Sequence, residues 1–452
     1  MHLHNRSHSI SWARHYGILV VLLAATLTQV AAPAESDRSP QRIILGLTND
    51  PAHSQTVTWR TPLPVESPQA QIAPWTAHPK FGNDAVTVQA TAAEFTTGAG
   101  DIVHHCEATF TGLEAAKAYG YRVGDGNVWS EWFRVQTASD KADPFRFIYL
   151  GDAQADVKSL WSRTVREAYR AAPDAVLILH AGDLINDGFN DQQWSEWCTG
   201  LGFIASMIPS LPVIGNHDMN LPDGAPGLPT AAHPLWKAHF ALPQNGPEGA
   251  PMLEDEAYWV DYQGVRFIAL EANAYSPEDY DPETRKIVQE KQIAWVEKLL
   301  SDNPNRWTIV LHHEPMYGVG KNADNPELRD AFLALYDQYK VDLVLQGHDH
   351  VYARSHKLAA GKPVADNAPG TVYVVSVSGP KMYDFNPRYA ELMVKTLANT
   401  QLYQVIDVNH DQIQLTARTV AGEWVDGFAL KKGQDGNSTL TEVYPPEVPQ
   451  AR

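Results

Sequence analysis

The sequence predicts an α/β protein in which an N-terminal β-sandwich precedes a larger, layered α/β domain. Three observations carry this. Residues 41–137 alternate apolar and polar side chains between closely spaced turn residues. Residues 145–430 instead set short apolar runs against stretches of helical period. The chain has 452 residues, 44% of them hydrophobic and 19% charged, which is enough apolar material for two cores and excludes an intrinsically disordered chain.

Residues 1–34 hold Arg6 and Arg14 but no acid, then the apolar run Gly17–Leu27, then the small-residue stretch Val30–Ala34. That order is the pattern of a cleavable secretory signal. Cleavage is expected after Ala34, since cleavage after Ala32 would leave Pro33 at the new terminus. The apolar run falls short of the ~20 residues of a membrane span, and no cysteine follows it to carry a lipid. No later segment approaches span length, so the expected product has no membrane span and sits in the periplasm or outside the cell. Cys106 and Cys198 are the only cysteines. They exclude a disulfide framework or a thiolate zinc site, and they lie in different domains, so no bridge is expected. A net charge of −18 argues against a general nucleic-acid-binding surface or affinity for anionic membranes. A phosphate-bearing substrate remains compatible, because a bound cation reverses the field locally.

In the first domain, Thr56–Arg60, Ala85–Gln89, Cys106–Phe110 and Tyr119–Val123 read as strands with one buried face. No cluster of titratable groups stands out here, which leaves a structural or interface role. The polar segment Ala138–Pro144 reads as a linker. Beyond it, apolar runs at Arg146–Leu150, Ala175–Leu179, Leu211–Ile214, Val265–Leu270, Thr308–Leu311, Leu343–Leu345 and Val372–Val375 predict buried strands. Helices are expected between them, with faces made by Leu160, Val165 and Tyr169, by Ile293, Val296 and Leu300, and by Leu328, Phe332 and Tyr336. Alternation returns over 401–430 and predicts a sheet edge. Residues 431–452 are polar and proline-bearing, and read as a loose tail.

Five of the apolar runs end alike. They lead into Gly151-Asp152-Ala153-Gln154, His180-Ala181-Gly182-Asp183, Gly215-Asn216-His217-Asp218, His312-His313-Glu314-Pro315 and Gln346-Gly347-His348-Asp349-His350. In open α/β sheets, sites assemble beyond the carboxyl ends of strands. Each fragment alone is weak, because a Gly-Asp after a strand is usually a turn. Together they would deliver carboxylates, an amide oxygen and imidazoles to one crevice, a donor set suited to Fe, Mn or Zn.

This ordered set of GD, GD, GNHD, H-x-P and GHDH resembles the calcineurin-like metallophosphoesterase superfamily. The segment Leu113-x5-Tyr119-x-Tyr121-x-Val123 resembles the tyrosine corner of a fibronectin type III domain. Such a domain in front of the motif set points to relatives of the purple acid phosphatases. The likeness extends to the strand pair Tyr258–Phe267 and the helix around Gln292–Trp295. It implies an αββα domain with two metal ions. Asp152 and His350 would bind the first metal and Asp183 would bridge both. Asn216, His313 and His348 would bind the second. His313 rather than His312 is implied, because the family's ligand stands two residues before the proline. His217 matches a histidine that contacts substrate and protonates the leaving group.

Two positions depart from the family pattern. Purple acid phosphatases carry a tyrosine three residues after the bridging aspartate, and its charge transfer to iron gives the colour; here that residue is Asn186. Other superfamily members place a histidine two after the first aspartate, where this chain has Gln154. Gln154 would either ligate weakly or hold a water. Among the remaining candidates, His180 and Asp218 read as supports, and Asp349 and Arg354 as loop-shaping residues. His312 reads as lying on the far side of its strand, Tyr317 as a pocket wall, and His233 and His239 as core or surface. Two cations ~3.5–4 Å apart can hold a hydroxide for attack on a small phosphorylated substrate. Hydrolysis of phosphate monoesters is the first expectation and of diesters, nucleotides included, the second. A non-catalytic binding protein is the third. Oligomeric state is not legible.

Overall fold

The computed structural model describes residues 38–98, 100–222, 224–321 and 324–445. The expected signal at 1–34 lies outside them. In the larger domain, the apolar runs become strands covered on both faces, which is why they carry so few polar residues. Phe145–Leu150, Leu177–His180 and Ser210–Pro212 pair in parallel. An antiparallel meander of Leu402–Val408, Gln412–Thr419 and Trp424–Lys432 extends the same sheet. A second sheet holds Val265–Ala269, Trp307–Leu311, Leu343–Gln346 and Val372–Val375 in parallel, with antiparallel strands at both edges.

The sheets pack face to face. Phe147 and Phe267 meet edge to face at 5.6 Å, inside one core that also contains Leu177, Ile309, Leu343 and Val372. The Tyr149 hydroxyl crosses from one sheet to the other, donating to the Gln346 carbonyl and accepting from the Gln346 amide. Helices Ser162–Ala171 and Asp191–Leu201 add Val165, Ala168, Trp194 and Trp197 to this core. Helices Pro282–Ser301 and Pro326–Tyr339 cover the second sheet with Val296, Leu300, Leu328, Phe332 and Tyr336. Asp281 and Asn325 cap these two helices, each followed by a proline at the first turn. The result is the αββα order.

Two expectations need correction. Leu160 and Tyr169 do not lead the buried face of the first helix; Trp161, Val165 and Ala168 do. A five-residue π-helical turn at Val157–Trp161 rotates the chain just before that helix begins. Nor is the segment after 431 wholly a loose tail. Ser438–Glu442 pairs with Trp424–Lys432, buries Leu440 and pairs Glu442 with Arg354. An edge strand with one solvated face needs only alternate apolar residues, so its sequence reads as polar.

In the sandwich, Gln41–Gly46, Ser54–Thr61, Ile102–Thr111 and Thr91–Thr96 face Val86–Gln89, Gln69–Pro74, Ala118–Gly124 and Phe133–Gln136. Trp59 and Tyr121 lie buried between them. The Tyr119 hydroxyl accepts from the Glu114 amide at 2.9 Å, closing a tyrosine corner. The sandwich is not an appendage, because Gly46 pairs in parallel with Ser210 and continues the sheet of the larger domain. Tyr121 donates to the Ser206 carbonyl at 2.6 Å. Arg42 and Arg60 both donate to Asp191. His239 is buried in this junction, stacked on Trp194 at 4.5 Å and 5.2 Å from the His105 ring. Both cysteines are free.

Two stability predictions follow from these contacts. The buried Arg354 donates to Asp426 at 2.7 and 3.0 Å and to Glu442 at 2.8 and 3.0 Å. Arg354→Met is expected to cost about 3–5 kcal/mol, because Asp426 stays buried without its cation. Denaturant unfolding reads this, and an unchanged midpoint would contradict it. Burial also pushes His105 down to about 4 and His180 down to about 3, and holds His239 well below its ordinary range. These rings stay neutral when folded, whereas the unfolded chain protonates them near the ordinary 6.5. The stability they contribute is complete above that value and is lost as pH falls toward 4. Melting temperature should therefore drop across this window, and should drop less in His105→Phe; identical profiles would refute the assignment.

Candidate metal centre

Loops leaving Phe145–Leu150, Leu177–His180 and Ser210–Pro212 in one sheet meet loops leaving Trp307–Leu311 and Leu343–Gln346 in the other. They form two clusters, Asp152 with Asp183 and His350, and Asp183 with His313 and His348. In each cluster the candidate ligand atoms all lie within 4.8 Å of one another. Asp183 belongs to both. Asn216, at the start of a short helix, places Oδ1 3.3 Å from His313 Nε2. The six side chains singled out in the sequence are therefore brought together.

The loops reach this arrangement through unusual backbone. Asp152, Asp183, His348 and His350 have φ of 51°, 50°, 68° and 50°, a left-handed region that non-glycine residues occupy at a cost. A Cβ on Gly215 would overlap the Asp183 carboxylate, so glycine there is a condition of the close approach.

Hydrogen bonds aim the ligands. His313 Nδ1 donates to the Ala181 carbonyl at 2.7 Å and His350 Nδ1 donates to the Lys381 carbonyl at 2.9 Å. Both rings thus turn Nε2 toward the clusters. Asp152 Oδ1 accepts from the His348 amide at 2.7 Å, while its Oδ2 is buried with no hydrogen-bond partner. Asp183 accepts from the His217 amide at 3.0 Å and from the Gln154 side chain. Burial raises the Asp152 carboxyl well above its ordinary range. Burial opposes the Asp183 charge as well, but His313, His217 and His348 together hold that carboxylate well below its usual value. Burial pushes His348 down to about 4, with His313 adding to the effect. Buried carboxylates and imidazoles this close, with one oxygen unpartnered, fit a pair of cations.

His217 is half-buried beside the clusters. Its Nδ1 donates to the Asn186 carbonyl at 2.8 Å and its Nε2 lies 3.3 Å from Lys381 Nζ. The Asn186 side chain turns instead to Asp187. Gln154 gives its amide nitrogen to Asp183 and accepts from Lys381 Nζ at 3.1 Å, so its oxygen points away from the candidate ligands. Several other candidates are elsewhere. His180 packs on Trp197, and His312 donates to the Glu314 carbonyl. Asp218 accepts from the amides of Gly215 and Leu184, and Asp349 from Val319 and Gly320. Tyr317 packs edge-on to Tyr373 and Tyr389, and His233 caps a helix.

Two residues at the site were not read from the sequence. Glu314 is buried, with Oε1 3.4 Å from His348 Nδ1, and burial pushes it up to about 7. Lys381 comes from the loop after Val372–Val375. That strand is a further parallel one whose end faces the clusters, and this was the available signal.

Asp183→Asn is expected to lower bound metal from two equivalents to below one, with an unchanged far-ultraviolet spectrum. Elemental analysis of the purified variant measures this; retention of both equivalents would contradict the shared role.

Residues 145–352 match the family described as calcineurin-like phosphoesterase, and residues 40–137 match the purple acid phosphatase N-terminal domain. An uncharacterized protein of Mycobacterium tuberculosis is 25% identical over 362 residues, or 72% of this chain, and the match spans 66% of that relative's length. The Fe(3+)-Zn(2+) purple acid phosphatase 12 of Arabidopsis thaliana is 24% identical over 89% of this chain and 83% of its own. The structure of a purple acid phosphatase from yellow lupin seeds shares the fold, with a TM-score of 0.71 at 18% identity over 88% of this chain and 75% of that one. The chain therefore carries a calcineurin-like phosphoesterase domain behind a purple acid phosphatase N-terminal domain.

Proposed function

We propose that the chain is an exported, dinuclear metal-dependent hydrolase of phosphate monoesters. The observation that carries this reading is the sharing of Asp183 by two ligand clusters, one of which leaves a buried Asp152 oxygen unpartnered. Asp152 and His350 would hold one metal and Asn216, His313 and His348 the other, with Asp183 between them. Fe, Mn and Zn suit these donors. Such a pair of ions neutralises phosphate oxygens and acidifies water.

The chain's own groups do the rest. The carbonyls of Ala181 and Lys381 fix the rings of His313 and His350. Gln154 and the His217 amide hold the Asp183 carboxylate in place. The Asn186 carbonyl fixes Nδ1 of His217 and leaves Nε2 beside Lys381 Nζ, from where it can deliver a proton to the leaving oxygen. Asn186 supplies no phenolate, so a protein without the purple charge-transfer colour is expected. Export rests on the pattern at 1–34; no described helix is long and apolar enough to cross a membrane.

The test compares an aryl phosphate monoester with the matching diester under added Mn, Fe or Zn, with Asp183→Asn as the blank. Monoester turnover should exceed diester turnover by roughly tenfold, a difference of about 1.4 kcal/mol in barrier. Diester preference would reassign the chain as a phosphodiesterase. Blank-level activity with every metal would favour a binding protein.

A further inference from the structure

We propose that Lys381 sets the preference of this centre for phosphate monoesters over diesters, by pairing its ammonium with the non-bridging oxygen that only a monoester presents as a third charged atom. The inference rests on the phosphoester reading above and deepens it.

The loop that carries Lys381 is held on both sides. Ser378 donates its amide to the Gly151 carbonyl at 2.8 Å and accepts from Trp161 Nε1 at 2.9 Å. A Cβ on Gly379 would overlap the Asp152 carbonyl, so this loop lies directly on the one that supplies the first aspartate. Two residues later, the Lys381 carbonyl takes the His350 Nδ1 proton at 2.9 Å. The backbone at 381 is thus tied to the candidate ligands from both directions, and the side chain starts from a fixed point.

From there Nζ reaches 3.1 Å from Gln154 Oε1, 3.3 Å from His217 Nε2 and 5.7 Å from the centre of the Tyr383 ring. These partners are an amide oxygen, an imidazole and an aromatic face. None is a carboxylate; Asp152 feels the ammonium through space, but no ion pair holds it, which leaves Nζ able to meet a ligand. Its position next to His217 places it over the same side of the clusters as the group that would meet the leaving oxygen.

The chemistry of the two ester classes then differs at one atom. A monoester dianion has three non-bridging oxygens, and with two of them taken up at the metal centre the Lys381 ammonium would meet the third. A diester has an ester arm in that place and one charge fewer. The ammonium would face an uncharged oxygen and its substituent, which is discrimination by an unmatched, half-buried cation. Lysine suits this task as a compact point charge.

Lys381→Met removes the ammonium and keeps the backbone carbonyl that orients His350, and Lys381→Arg restores charge in another shape. Charge-assisted hydrogen bonds of about 1.5–3 kcal/mol correspond to roughly 10- to 100-fold. The monoester kcat/KM of Lys381→Met is expected to fall by about that factor and the diester kcat/KM by much less, with metal content unchanged. Affinity for inorganic phosphate, measured by calorimetry on the metal-loaded protein, should fall by roughly tenfold and recover in part in Lys381→Arg. Equal losses on the two esters, or an unchanged phosphate affinity, would overturn the proposal. If the parent protein hydrolyses neither ester, the phosphoester reading fails while phosphate affinity still decides the role of Lys381.

Discussion

Two carboxylates, Asp152 and Asp183, are buried in one cleft, and the rest of the molecule is arranged around that burden. Carboxylates out of water are tolerated only when charge or hydrogen bonds replace their hydration. Here the replacement comes from backbone amides of His217 and His348, from the Gln154 amide and from the His313 imidazole. Supplying these groups at one point requires loops that turn sharply off their strands. The left-handed backbone at four of the six candidate ligands is the local cost, and the surrounding sheets and helices are what hold it.

The sandwich contributes to that rigidity. It extends a sheet of the larger domain, and Arg42 and Arg60 grip Asp191 at the first residue of a helix that covers the core. The helix in turn presents Trp194 and Trp197 to His239 and His180. The aromatic and imidazole rings between the domains are therefore part of one packed layer, and the histidines in it are structural.

Much of this was legible in the sequence because strand physics and ligand chemistry are both local. A doubly buried strand reads as an apolar run, and glycine with Asp, Asn or His at its end reads as a ligand-bearing turn. What escaped had no such local mark. Lys381 is a single cation six residues past its strand, and nothing in its neighbours announces where the loop folds back. Glu314 stands in the variable position of a motif whose other residues drew the reading. The buried face around Trp161 was displaced by a π-helical turn that a fixed helical period cannot anticipate. The strand Ser438–Glu442 was hidden by the polarity that its solvated face permits.

Each ligand cluster draws on both sheets. Asp152 and Asp183 follow strands of one, His350 a strand of the other, and the second cluster is divided in the same way. Any ion held there is a further cross-link between two layers already joined by apolar contact, by the Tyr149 hydroxyl and by Arg354 with Asp426 and Glu442. Ligand geometry is then inherited from how Phe147 and Phe267 interlock, well away from the ions themselves. By linkage, affinity for the ions and cohesion of the sandwiched sheets are two readings of one free energy. A substitution deep in the core is able to act as a metal-site mutation, and a chelator as a loosening agent for the core.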